Sequence, residues 1–377
     1  MQTGQVKNIF YDFKKKYSFD FFCIILLLVI ACLNILFCLR FGNPFRGDSQ
    51  SYIDATQVIA QGIDQDFSST IASRMLKPLP IIGIGLIAKI FNIDYYQAFF
   101  LENIFFYFLT SVLIYYFLRF FFKNNIFILL GSIFYISAYP MLRDGIAMLT
   151  ESGAHFFYIL SCFLVCLFYK TPSFKYFFWT SLSIIIGFHW KEYSAVAGLF
   201  FFLVIISHPL LSIKSKIIFL SNYILFSLLI IVGWQFFVYH FFRYTYFDWI
   251  KNGIAVPFYW TRIYYTLKSL FGVFILGWFL TLFGFLKREK FLTQKFLKYL
   301  LVACCLVFVW SGTDSRLYYV IALPGVVYLS TGLMYIDYFY GRKFLYYLFV
   351  IALFSNYSWF LVNNDLRSFL DFLPYAS

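Results

Sequence analysis

The sequence predicts an all-α membrane protein that crosses the bilayer many times, and three observations carry that expectation. Of its 377 residues, 62% are hydrophobic and only 12% are charged. The mean hydropathy is +0.78. Apolar runs of membrane length recur from end to end, separated by short charged segments. A soluble domain carries about 25% charged residues, and surface-to-volume scaling leaves much of any soluble chain facing water. Soluble enzymes, nucleic-acid-binding proteins and secreted domains are therefore excluded together. The chain reads as a single transmembrane domain, 1–377.

A transmembrane helix needs about 20 apolar residues. On that measure there are about eleven spans, at 20–40, 96–118, 126–141, 153–169, 176–189, 195–211, 217–239, 264–286, 299–312, 318–338 and 344–362. The first apolar run, 21–39, is too long for the core of a cleavable signal and lacks a small-residue cleavage site, so it reads as an anchor. Residues 42–95 form an outer loop with juxtamembrane helices. Gly47 marks a turn there and Ser49 to Ala60 read as a helix. Residues 79–92 (LPIIGIGLIAKIFN) are apolar but short, and are interrupted by Pro80, Gly83, Gly85 and Lys89. They read as a helix lying at the interface.

Orientation follows from basic residues, which concentrate on the cytoplasmic side. With the N-terminus inside, the cytoplasmic segments hold 17 of the 30 lysines and arginines but only 4 of the 17 acidic residues. Counting 79–92 as a span would move the basic run 287–298 outside. The net charge of +13 is thus anchoring charge against an anionic inner leaflet, as expected for a bacterial inner-membrane protein. The seven cysteines lie inside apolar runs, away from any histidine at metal-ligand spacing.

The polar chemistry is expected outside. The first loop carries Arg46, Asp48, Tyr52, Arg74 and Lys77. Arg143, Asp144 and Glu151 follow the third span, HWKEYS adds His189, Lys191 and Glu192, and WSGTDSRLYYVIALP adds Asp314 and Arg316. Each has a plainer reading. Asp48 reads as an N-cap in a solvated loop, and Glu151 as an interfacial carboxylate paired with Arg143. His155 and His208 read as hydrogen-bonded core residues. Together, however, Asp48 and Glu151 stand with Arg74, Lys77, Lys191 and Arg316 around one outer cavity. A carboxylate can take a proton from an acceptor hydroxyl while separate cations hold a departing phosphate, which arginine grips bidentately. The segment RYTYFDWIKNGIAVPFYWTR offers Trp249 and Trp260 as a stacking platform for sugar, or as an interfacial amphipathic helix. Tyr52 is a further candidate sugar contact. No Walker motif, GxGxxG after a strand or cysteine–histidine cluster is present.

In the order and context of these motifs the chain resembles the GT-C membrane glycosyltransferases, among them the aminoarabinose and protein mannosyl transferases. GDSQSY follows the first span, SRMLKPLP leads into the juxtamembrane helix, LTES follows the third span, and GTDSRLYYVIALP stands near the end. The resemblance covers the first 195 residues best and the rest loosely. It departs where Ser49 follows Asp48, since relatives often carry paired acids there. It implies a polyprenyl-phosphate-linked sugar donor, a glycan or lipid-linked acceptor, and inverting transfer on the outer face. Asp48 would be the general base and Glu151 would position the acceptor, or both would hold a divalent metal if one is used. Arg74, Lys77 and Arg316 would bind the donor phosphate, with Lys191 assisting. Two rivals are an O-antigen or capsule repeat-unit polymerase and a lipid-linked sugar transporter or flippase. The second would favour internal repeats, and the sequence has none.

Overall fold

The structure, a computed structural model, describes residues 3–62, 68–254, 260–287, 293–309 and 314–371. Every regular element among them is helical. Helix α1 (Thr3–Phe41) enters first. The segment after it then folds into α2 (Gly47–Gln61), α3 (Ser69–Met75) and α4 (Pro78–Phe91). Next come α5 (Tyr95–Arg119), α6 (Asn125–Ile136), α7 (Glu151–Lys170), α8 (Phe174–Trp190), α9 (Ser194–Ser207) and α10 (Ile213–Phe242). The second half holds α11 (Tyr246–Ile254), α12 (Trp260–Phe274), α13 (Gly277–Leu286), α14 (Thr293–Cys304), α15 (Ser315–Tyr318), α16 (Ala322–Tyr340) and α17 (Arg342–Asp371).

Six helices among the described residues are long and apolar enough to cross a membrane, and eight if two sharply bent pairs each count as one crossing. The expected eleven are not reached on length and composition, for local backbone reasons. The run 264–286 is two helices that turn 87° at the break, where Ile275 adopts φ 49°, a left-handed conformation costly for a branched residue. The run 126–141 breaks after Ile136 and resumes as a wider helical turn through Met141–Gly145, and 299–312 passes from α14 into a tighter turn over Cys305–Val309. The helix expected at 79–92 forms as α4, with Pro78 in its first turn and Asn92 in the left-handed conformation closing it. It turns 89° from α3.

Two devices fix the bundle. Glycines let α13 and α16 pack backbone to backbone. A Cβ on Gly284 would overlap the Tyr328 carbonyl oxygen, and one on Gly332 would overlap that of Leu280. Deep in the bundle, Asn34 donates to the Tyr107 hydroxyl at 2.9 Å and the Ser137 hydroxyl at 3.1 Å, while the Tyr357 hydroxyl donates to Asn34 Oδ1 at 2.5 Å. This knot ties α1, α5, the end of α6 and α17 with hydrogen bonds that lipid could not supply.

Between α6 and α7 the chain breaks at Ser137, winds through a wider π-helical turn at Met141–Gly145 and is irregular over 146–150, yet every residue of 137–150 is buried. Irregular backbone at such depth is tolerated where protein encloses it or a cavity needs it. Here it carries Arg143 and Asp144 inward and delivers Glu151 at the first position of α7.

Candidate functional site

Asp48 lies in the first turn of α2, but its side chain caps nothing. The residue before the helix is Arg46, whose backbone N–H donates to the Ser49 hydroxyl at 2.8 Å. The expected N-cap role is therefore replaced by a different one. Arg74 of α3 donates to Asp48 Oδ1 at 2.8 Å, and Arg316 of α15 donates to Oδ2 at 3.1 Å. Burial pushes the Asp48 carboxyl up, but Arg74 and Arg316 together outweigh it and hold the group below its ordinary range.

Arg316 reaches a second acid as well, with Nη1 3.4 Å from Glu151 Oε1. The same oxygen accepts from Lys191. Glu151 is 1% exposed, and its other oxygen, Oε2, accepts no hydrogen bond. The expected Glu151–Arg143 pair does not form. Arg143 instead holds Asp144 and Asp314, the latter at 2.5 Å, because the buried turn aims it toward α15. Arg143 and Arg316 hold the Asp314 carboxyl lowered against its burial.

Lys77 stands one step away, paired with Glu192 at 2.7 Å and lying 4.8 Å from the centre of the Trp249 ring. The structure thus brings Asp48, Glu151, Arg74, Lys191 and Arg316 into one chain of contacts and sets Lys77 at its edge. Tyr52 is buried, with Arg74 4.7 Å from its ring centre and its hydroxyl 3.4 Å from that of Thr150. Its ring supports Arg74 and is not open for stacking. Trp249 borders an apolar cavity of about 280 Å³ that also touches Glu192, Tyr193, Leu317 and Val320. The Trp260 side chain lies outside the described residues.

Asp144, Glu192 and Asp314 complete the cluster and were not expected as members. Their signal was adjacency, since each stands within two residues of a cation that the cluster uses. His208 is satisfied, with Nε2 3.0 Å from the Tyr169 carbonyl oxygen. His155 is buried with Nδ1 unpartnered, stacked on Tyr193 at 5.3 Å.

Arg74, Lys77, Arg143, Lys191 and Arg316 match Asp48, Asp144, Glu151, Glu192 and Asp314 in number, and each of these cations is in an ion pair. A metal shared by Asp48 and Glu151 does not fit this donor set, because Arg316 already occupies the place between the two acids. A divalent ion there would strand a half-buried guanidinium without its counter-charges, which is strongly unfavourable. No group of three metal-ligating side chains converges among the described residues. Arginine forks suit phosphate, and a phosphate here would compete with the resident carboxylates for them.

No family model and no curated protein matches this chain.

Proposed function

We propose that the chain is an integral membrane glycosyltransferase of the GT-C kind, moving a sugar from a polyprenyl-phosphate donor to a glycan or lipid-linked acceptor. The observation that carries this reading is one arginine, Arg316, shared between two carboxylates in a cluster that borders an apolar cavity. A lipid phosphate needs both parts, cations for its head and an apolar wall for its chain.

In the proposed reaction the acceptor hydroxyl oxygen attacks the anomeric carbon of the donor. The bond from that carbon to the phosphate oxygen breaks, and the polyprenyl phosphate departs with the electron pair. Asp48 takes the acceptor proton, and Arg74, Arg316 and Lys191 hold the departing charge, with Lys77 at the rim. A single displacement inverts the anomeric centre. Glu151 Oε2, buried and without a partner, accepts a hydrogen bond from a sugar hydroxyl.

With both arginines on it, Asp48 is a weak base. A donor phosphate that draws Arg74 and Arg316 onto itself releases the carboxylate and raises its basicity as the acceptor arrives. Donor binding and base activation are then one event.

The proposed setting is the bacterial inner membrane, with the N-terminus cytoplasmic and the cluster on the outer face. Eleven crossings result if α6, α8, α9 and α14 with its extension also cross and α12–α13 counts once. Helix α6, 12 residues long, rises about 18 Å against a hydrocarbon core of about 30 Å, so the buried stretch after it would complete that crossing.

The test is complementation with Asp48→Asn beside wild type, with membrane expression checked and surface polysaccharide profiled by mass. Loss of one sugar with normal expression is the expected result. Unchanged glycan sinks the mechanism, and a glycan cut to single repeat units favours a polymerase.

A further inference from the structure

A second cavity lies away from the cluster, between the C-terminal half of α2 and the length of α4. It measures about 510 Å³ and is lined by Thr56, Ile59, Ile81, Gly85, Leu86 and Lys89, among others. Its walls are mainly aliphatic, with Thr56, Tyr95 and one charged group, Lys89, among them. That lysine is exposed, and no hydrogen bond or ion pair reaches it from any described residue. Gly85 keeps the floor low, since even a Cβ there would stand 3.6 Å from Thr56 Cγ2.

The wall formed by α4 continues outward into lipid. Ile82 is 40% exposed, Leu86 54% and Ile90 71%. Their spacing of four residues places them along one side of the helix. An aliphatic face this open in a membrane protein is covered by hydrocarbon. The groove therefore opens from the bilayer, with a lone ammonium at one end of an apolar trough.

We infer that the α2–α4 groove is a binding site for an anionic diacyl phospholipid, with an acyl chain along Ile59, Ile81, Gly85 and Leu86 and the phosphate at Lys89. Charge complementarity chooses the occupant: a zwitterionic lipid already offsets its phosphate with its own ammonium and gains less from Lys89, and a soluble anion would leave the aliphatic trough empty. The seat requires only that the chain be a membrane protein and is independent of glycosyl transfer. Its occupant braces the helix whose first turn bears Asp48.

The experiment uses the full chain in nanodiscs of phosphatidylcholine doped with phosphatidylglycerol that bears a photoreactive group in its tail. Crosslinked peptides are mapped by mass spectrometry. Wild type should crosslink within 81–95, and phosphatidylglycerol should be favoured over a phosphatidylcholine probe of the same tail. Lys89→Gln should reduce that preference about fivefold, the effect of one interfacial lysine, with crosslinking by the neutral probe retained. Gly85→Leu should remove crosslinking by both probes, and millimolar inorganic phosphate should compete with neither. Lys175→Gln, an exposed lysine elsewhere, should leave the preference intact. Crosslinking unchanged in Gly85→Leu, competition by inorganic phosphate, or an equal effect of Lys175→Gln and Lys89→Gln would each overturn the proposal. Normal detergent-extracted yield and melting temperature of each variant establish that it has folded.

Discussion

Two carboxylate-centred groups, one at each face of the bundle, differ in how completely they are closed. Near the start of the apolar run of α1, Asp20 Oδ1 accepts from the Tyr115 hydroxyl and from Asn125 Nδ2, each at 2.9 Å, and pairs with Arg119. One acid meets one cation and two neutral donors, which staples α1 to α5 and α6. At the opposite end of the bundle, Arg316 serves Asp48 and Glu151 at once, and Oε2 of Glu151 has no partner. A structural ion pair ends when its members are satisfied. The group around Arg316 leaves one buried carboxylate oxygen open, and it lies beside a cavity. The difference is the one expected between a staple and a site.

Exchanging the lesion between the two groups should produce the largest effect. Asp48→Asn should lower transfer by about 10²–10⁴-fold, the scale of a general base, with a modest fall in melting temperature from the loss of its pairs with Arg74 and Arg316. Asp20→Asn should lower the melting temperature and leave transfer in the folded fraction near wild type. Reversed outcomes would mean that the Asp20 group is the site.

Next is the shared arginine. Arg316→Gln leaves Asp48 with one partner and Glu151 dependent on Lys191, so polyprenyl-phosphate affinity should fall, with stability lost by about 1–3 kcal/mol, the range for a lost hydrogen bond that leaves its partner under-satisfied. Thermal melts with and without the lipid separate the two effects.

The acid side of the pH profile sharpens the comparison further. Asp48 must be ionised to act, and its folded-state pKa lies below the ordinary value. The profile of kcat/KM, which reports the unliganded protein, should stay flat as pH falls through the usual carboxylate range of about 4 and drop only below it. The profile of kcat, which reports the loaded site, should drop at a higher pH because the phosphate has taken the arginines. Arg74→Gln should bring the two limbs together. The sign for stability is the same: with a lowered folded pKa, Asp48 stabilises the fold above its unfolded value, and that contribution disappears as pH falls through the folded one.

The smallest effect on function belongs to the scaffold. Gly284→Ala places a methyl against the Tyr328 carbonyl, which no side-chain rotation relieves. It should cost about 1–3 kcal/mol of stability and leave both pH limbs in place. A shifted limb would mean that the α13–α16 seam sets the geometry of the cluster.

Much of the cluster was legible because a charge is conspicuous in so apolar a chain. Asp48, Glu151, Arg74, Lys191 and Arg316 each stand where an apolar run ends or begins. Their partners were not legible. Arg316 meets Asp48 across 268 residues and Arg143 meets Asp314 across 171, so local spacing pointed instead to a Glu151–Arg143 pair. The helical class followed directly from composition. The continuity of each helix did not, since a left-handed Ile275 or a helix that stops at Ile136 leaves no mark on an apolar run. Tyr52 makes the same point: the sequence shows an aromatic ring beside Asp48, and only the fold shows that it is buried with Arg74 against its face.

The most direct test of the central claim is binding of undecaprenyl phosphate, the leaving lipid of the proposed reaction, to the full chain in phosphatidylcholine nanodiscs. Wild type, Asp48→Asn and Arg316→Gln should be compared by the lipid retained in native mass spectra. The account predicts that Asp48→Asn retains as much lipid as wild type or more, because Arg74 and Arg316 no longer have a resident carboxylate to leave, and that Arg316→Gln retains less. Retention that falls in Asp48→Asn and is unchanged in Arg316→Gln would contradict it.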